Sequence, residues 1–113
     1  METILHITQR ADWEAAQRSG QYRADSLASE GFIHCSKPGQ ILRVAGTFYA
    51  GQHGLALLVI DPARLKAELR WETPPEAAEP FPHVYGPINL EAVINVLDFE
   101  PAPDGKFVLP SLL

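Results

Sequence analysis

The sequence predicts an α+β fold, a twisted and split β-sheet of about five to six strands with two main helices. Two observations lead there. Short apolar, β-branched runs recur along the whole chain, while helical periodicity is confined to two segments of the first half. The length of 113 residues matches one domain of common size, and such a chain buries roughly two-thirds of its unfolded surface without staples. The reading is a single domain over 1–113, with a compact core over about 3–100 and a proline-rich tail over 101–113 laid on the surface.

The elements follow in order. TILHIT, at 3–8, is a first strand, apolar and β-branched. A helix over 11–19 turns Trp13, Ala15 and Ala16 inward and stops at Gly20. GFIHC, at 31–35, is a second strand. A second helix over 39–50 repeats Ile41, Val44, Ala45 and Phe48 at helical spacing, which makes one apolar face. LALLVID, at 55–61, is almost unbroken apolar sequence and reads as a central strand covered on both faces. A turn over 62–66 leads to ELRWE at 68–72, whose alternation suits a strand with one wet face. The segment 73–82 holds four of the ten prolines and reads as an irregular loop. The last strands are 83–85 and VINVLDF at 93–99. Tyr49, Trp71 and Trp13 read as core aromatics.

Composition narrows the function classes. Apolar residues make up 46% of the chain and charged ones 20%, the balance of a globular protein rather than a disordered one. No apolar run approaches the roughly 20 residues that span a bilayer, and METILHITQRADW has neither the basic start nor the apolar stretch of a secretion signal. With one cysteine, Cys35, there is no internal disulfide and no cysteine-rich zinc ribbon. A cytoplasmic protein with no membrane partner is the expectation. The net charge of −5 argues against an extended nucleic-acid surface, which needs clustered Lys and Arg, but leaves room for one small anionic ligand. Nothing in the sequence signals an oligomeric state.

Three of the four histidines share a pattern: His6-Ile7-Thr8, His34-Cys35-Ser36 and His83-Val84-Tyr85. In an extended strand residues i and i+2 share a face, so each unit presents an imidazole and a hydroxyl together. His34 and Cys35 diverge for the same reason, so Cys35 reads as a small core residue rather than a nucleophile. Thr8 and Ser36 each precede a helix and are also suited to cap it. His53 lies in a turn and lacks the pattern.

The stretches ILHITQRADWEAAQRSGQYRADSLASEGFIHCS, QILRVAGTFYAG, LALLVIDPARL and FPHVYGPINLEAVINVLDF resemble the bacterial family catalogued as domain of unknown function 952, over nearly the whole chain. The order of features also resembles the ADP-ribosyltransferase group, which includes RNA 2′-phosphotransferases: a first strand with a histidine and a hydroxyl, a helix, a second strand entering the cleft, and a late strand before the closing one. That resemblance implies an ADP-ribosyltransferase-like fold and a nucleotide ligand, with NAD as the cofactor. It places His6, Thr8, Arg23 and Ser36 on the nucleotide, with His6 at the ribose and Arg23 at the pyrophosphate, and His34, His83 and Tyr85 at the reaction. Many members carry a catalytic Glu where this chain has His-Val-Tyr, and Glu72 is spaced too far from the closing strand to replace it.

Three readings follow, each with a distinct requirement. An NAD-dependent glycosyl or ADP-ribosyl transferase needs His6, His34 and His83 around one cleft with Arg23 at its edge. A non-catalytic small-ligand or interaction module needs the cleft without turnover, with 73–82 as its rim. A metal site needs the three imidazoles to converge as a facial set, although no metal is expected because no motif such as H-E-x-x-H is present.

Overall fold

The computed structural model describes residues 2–111, and in it the chain forms an α+β fold with three helices and antiparallel strands in three sheets. The first sheet orders β1 (Ile4–Gln9), β4 (Leu55–Ile60) and β8 (Val93–Asp98), with β4 in the middle. The second orders β3 (Ile33–His34), β6 (Phe81–Tyr85) and β5 (Glu68–Glu72). A third pairs β2 (Gln21–Tyr22) with β7 (Ile88–Asn89). The two larger sheets meet where Leu5 and Ser36 exchange backbone hydrogen bonds of 2.7 and 2.8 Å.

β4 is central for the reason its sequence gives: all six residues are buried and both faces are covered. One face joins Leu5, Ile7, Leu57 and Leu97 to Ile41 and Ala45 of helix α3 (Pro38–Phe48). The tail closes this layer, because Phe107 stacks on Phe99 at 4.9 Å between ring centres. The other face joins Ile4, Leu58 and Ile60 to Trp13 and Ala16 of helix α1 (Arg10–Ser19), and to Tyr22, Ile33, Cys35 and Val84. The second sheet therefore turns its Ile33–Val84 side inward. Its His34–His83 side faces out.

Several expectations change. Helix α2 (Asp25–Glu30) makes a third helix where two were expected, and β2 and β7 bring the strands to eight. Segments of two to six residues are too short to show a period, and pairing rather than propensity creates them. β6 begins two residues early because Phe81-Pro82 reads as punctuation, yet the Pro82 carbonyl accepts from the Cys35 amide at 3.0 Å. Phe48 is 70% exposed rather than part of the buried helix face, since of the apolar residues of α3 only Ile41 and Ala45 are fully buried. Trp71 is 47% exposed rather than core, because it stands beyond Leu69 on the edge strand β5. Among the described residues no helix is long and apolar enough to cross a membrane.

α2 ends at Gly31 in the left-handed region, φ 91°, and this bend delivers Phe32 to the outward face. A Cβ there meets nothing within 4 Å, so Gly31→Ala costs only the backbone strain, about 1 kcal/mol. Gly46, inside α3 with equal space and ordinary φ, has the opposite sign: Gly46→Ala gains roughly 0.5–1 kcal/mol of helix propensity. Urea denaturation of the two variants should move the midpoint in opposite directions. A stabilised Gly31→Ala protein would show that the bend is not required.

Candidate functional site

The outward face of the second sheet collects titratable and aromatic side chains by strand register. His34 lies directly opposite His83, Arg70 opposite His83 on the other side, and Glu72 opposite Phe81. Directly opposed residues share a face, and alternation adds Glu68 and Tyr85 to it. The His34 and His83 rings lie 5.4 Å apart at 78°. Phe32 stacks on His83 at 4.1 Å and 22°, with His34 at 4.8 Å and Tyr85 at 5.3 Å. This cover leaves His83 only 4% exposed, while His34 stays open.

Glu72 ties the cluster together. Its Oε1 accepts from His83 Nδ1 at 2.8 Å and from the Tyr85 hydroxyl at 2.6 Å. The Tyr85 and His83 hydrogen bonds hold the Glu72 carboxyl below its usual range, and the same carboxylate raises the Tyr85 phenol. His34 has its own carboxylate, with Nε2 3.0 Å from Glu30 Oε2. Arg70 lies 4.2 Å over the Tyr85 ring and bonds Glu68 through two nitrogens at 2.9 and 3.0 Å. Two imidazole–carboxylate pairs thus stand side by side, one under an aromatic cover and one wet. Such pairs orient a ring and fix which nitrogen carries the proton.

His6 belongs to a different environment. It is 6% exposed and faces the inter-sheet core. Its Nδ1 donates to the His34 carbonyl at 2.6 Å, so Nε2 accepts from the Tyr22 hydroxyl at 2.7 Å, and Tyr22 also lies 2.9 Å from Thr8 Oγ1. Desolvation pushes the imidazole down to about 4 and keeps it neutral. Cys35 is buried in the same core, where desolvation pushes its thiol up to about 12.

The expected cleft of three imidazoles is therefore corrected to a face of two. His34, His83 and Tyr85 come together as expected. His6 does not join them, because both ring nitrogens are engaged inside the protein, and a ribose cannot reach them. The same engagement removes the facial metal set, and among the described residues no group of three His, Cys, Asp or Glu side chains is placed to hold a metal ion. Thr8 is buried against Tyr22 and does not cap α1, whose N-cap is Gln9. Ser36 does not cap α3 either. The Gln40 side chain accepts from the Lys37 amide there at 2.9 Å, and Ser36 is buried at the joint with β1. Arg23 is exposed in a hollow of about 300 Å³ with Asp12, Ala15, Ala16, Ser19 and Gln21, away from both imidazoles. A larger open groove of about 600 Å³ runs past Trp71, Leu69, Lys37 and Asp61, and no histidine lines it.

Glu72, Phe32 and Arg70 are the residues sequence reasoning missed. Glu72 was judged by its distance along the chain to the last strand. The relevant spacing is across the 68–72/81–85 ladder, where two alternating segments joined by a proline-rich loop already announce antiparallel neighbours.

Comparison with known proteins agrees with the architecture. The X-ray crystal structure of protein CC0527 from Caulobacter crescentus superimposes with a TM-score of 0.85 at 31% sequence identity, covering 95% of this chain and 94% of that one. The solution NMR structure of CC0527 gives 0.84 at 32% identity, covering 100% and 97%. The family profile described as "Protein of unknown function (DUF952)" matches residues 7–96. No curated protein matches the chain.

Proposed function

Because the chain belongs to DUF952, a family of proteins of unknown function, we propose a function from the site: a nucleotide-binding transferase of ADP-ribosyltransferase type that uses NAD, with its reacting centre on the His34–His83 face. The single observation that carries this reading is the Glu72 carboxylate gripped by His83 and Tyr85 beside Phe32. Departure of nicotinamide from NAD develops positive charge on the ribose, and a fixed carboxylate stabilises that charge where it forms. In the resembling transferases a Glu stands on the late strand. Here His83 stands there, and the carboxylate arrives from the neighbouring strand instead.

The remaining side chains suit the rest of such a ligand. Phe32 and the open His34 ring offer flat surfaces to a heteroaromatic ring. Arg70, on the same face, is the cation for the pyrophosphate in place of Arg23. Its exposed pair with Glu68 is worth little and exchanges easily for a phosphate oxygen.

Titration with NAD and with ADP-ribose, followed by calorimetry and thermal shift, tests the reading. Saturable binding is expected, and His34→Ala should weaken it by about tenfold, the worth of one lost ring contact. No response to either nucleotide would remove the proposal. Binding without release of nicotinamide would make the protein a small-ligand module rather than an enzyme.

A further inference from the structure

The three strands that build the imidazole face read IH, ELRWE and FPHVY, and none contains a serine, threonine or cysteine. Their one hydroxyl, on Tyr85, donates to Glu72. Cys35, next to His34 in sequence, is turned into the core. The face therefore offers no hydroxyl or thiol nucleophile, and its carboxylates are engaged, Glu72 with His83 and Tyr85, Glu68 with Arg70 and Glu30 with His34. It does hold a base. His83 donates Nδ1–H to Glu72, which leaves Nε2 as the lone-pair nitrogen. Among the described residues Nε2 has no hydrogen-bond partner, and no buried side-chain nitrogen or oxygen lacks one, so Nε2 reaches solvent.

We propose that Glu72 and His83 act as a general-base pair on a hydroxyl from outside the chain, so that the acceptor is water or an alcohol. The donor rests on the NAD reading above. In the step, the acceptor oxygen bonds to C1′ of the ribose as its proton passes to His83 Nε2. The C1′–nitrogen bond breaks with its electron pair going to the ring nitrogen, and nicotinamide leaves neutral. His83 then returns the proton to solvent. His83 is the base in this step, and Glu72 orients it through the Nδ1 hydrogen bond besides stabilising the ribose charge as assigned above.

The test incubates the whole protein with NAD in oxygen-18 water, with and without methanol, and resolves products by mass spectrometry. Labelled ADP-ribose and, with methanol, its methyl glycoside are expected, while the protein mass stays unchanged. His83→Ala and the bulkier His83→Gln should retain NAD binding and lose about 10² to 10⁴ in turnover. Added imidazole should restore part of the His83→Ala rate. Glu72→Gln removes the charge as well as the orientation, so it should lower turnover at least as far, and it should change the His83 ring nitrogen shifts and the pH profile. The groups that face His83 and shape that profile are His34, Glu72, Tyr85 and Arg70, with Glu30 and Glu68 behind them. If wild-type protein does not bind NAD, the donor reading fails and the acceptor assignment falls with it. If it binds and turns over NAD but the His83 variants match wild type, or an ADP-ribosylated protein accumulates, the general-base pair alone is overturned.

Discussion

Leu57→Ala should lower the unfolding free energy by about 3 to 4 kcal/mol, which for a domain of this size is a fall in Tm on the order of 15 °C. Leu57 is fully buried in the middle of the central strand, opposite Ile7 on one side and Leu97 on the other. Ile41 and Ala45 of α3 lie over the same face. Truncation removes transfer free energy, and the two flanking strands prevent the gap from closing. A native stability of typical size, roughly 5–15 kcal/mol, would lose a large part of itself. Val108→Ala, at a site 63% exposed, should change stability by less than about 0.5 kcal/mol and serves as control. Thermal unfolding of both variants decides the matter. A loss below about 1 kcal/mol at Leu57 would mean that the layer under α3 can collapse, contrary to the packing described.

Acidification should weaken the protein through His6 before it weakens it through the carboxylates. The folded-state imidazole is depressed to about 4 by desolvation, against an ordinary value of 6.5. Above the ordinary value neither state binds the proton, so stability is unaffected there. As pH falls below it, the unfolded chain takes up a proton that the folded protein refuses, and stability drops by about 1.4 kcal/mol per unit. The fall continues until the folded imidazole itself titrates, for a total of roughly 3 kcal/mol. Glu72 and Glu79, held below the usual carboxylate range by hydrogen bonds to Tyr85 and Gln40, lose their contribution only at more acid pH. Urea denaturation at several pH values should show this slope in the wild type and a flatter one in His6→Gln. Equal slopes would show that the buried ring is not what couples folding to protons.

Legibility from sequence varied with the range of the interaction that creates each feature. LALLVI announced the central strand because six apolar residues have one stable setting between two covered faces. ELRWE announced a strand by its alternation, but not a dry face, since Trp71 on that side is 47% exposed. The His-x-hydroxyl pattern predicted faces correctly for His83 with Tyr85, which share Glu72, and for His6 with Thr8, which share Tyr22. It failed for His34 with Ser36, because the bridge to Leu5 ends the strand between them and buries the serine. Which face of which sheet a histidine meets is a long-range property. His6 and His83 carry the same local signal, yet the first points between the sheets and the second points out. Glu72 was misjudged for a related reason, since its neighbours are set by register across the β5–β6 ladder, whereas Arg23 follows β2 and lines a hollow beside helix α1.

The hydrogen bond from His6 to the His34 carbonyl makes an interior ring a strut for the exposed strand that bears the other imidazole. Tyr22 in turn fixes which way that strut faces. Genetic drift at position 22 in any lineage should therefore be followed by replacement at position 6, and co-inherited exchanges at the two positions are the pattern to look for among descendants.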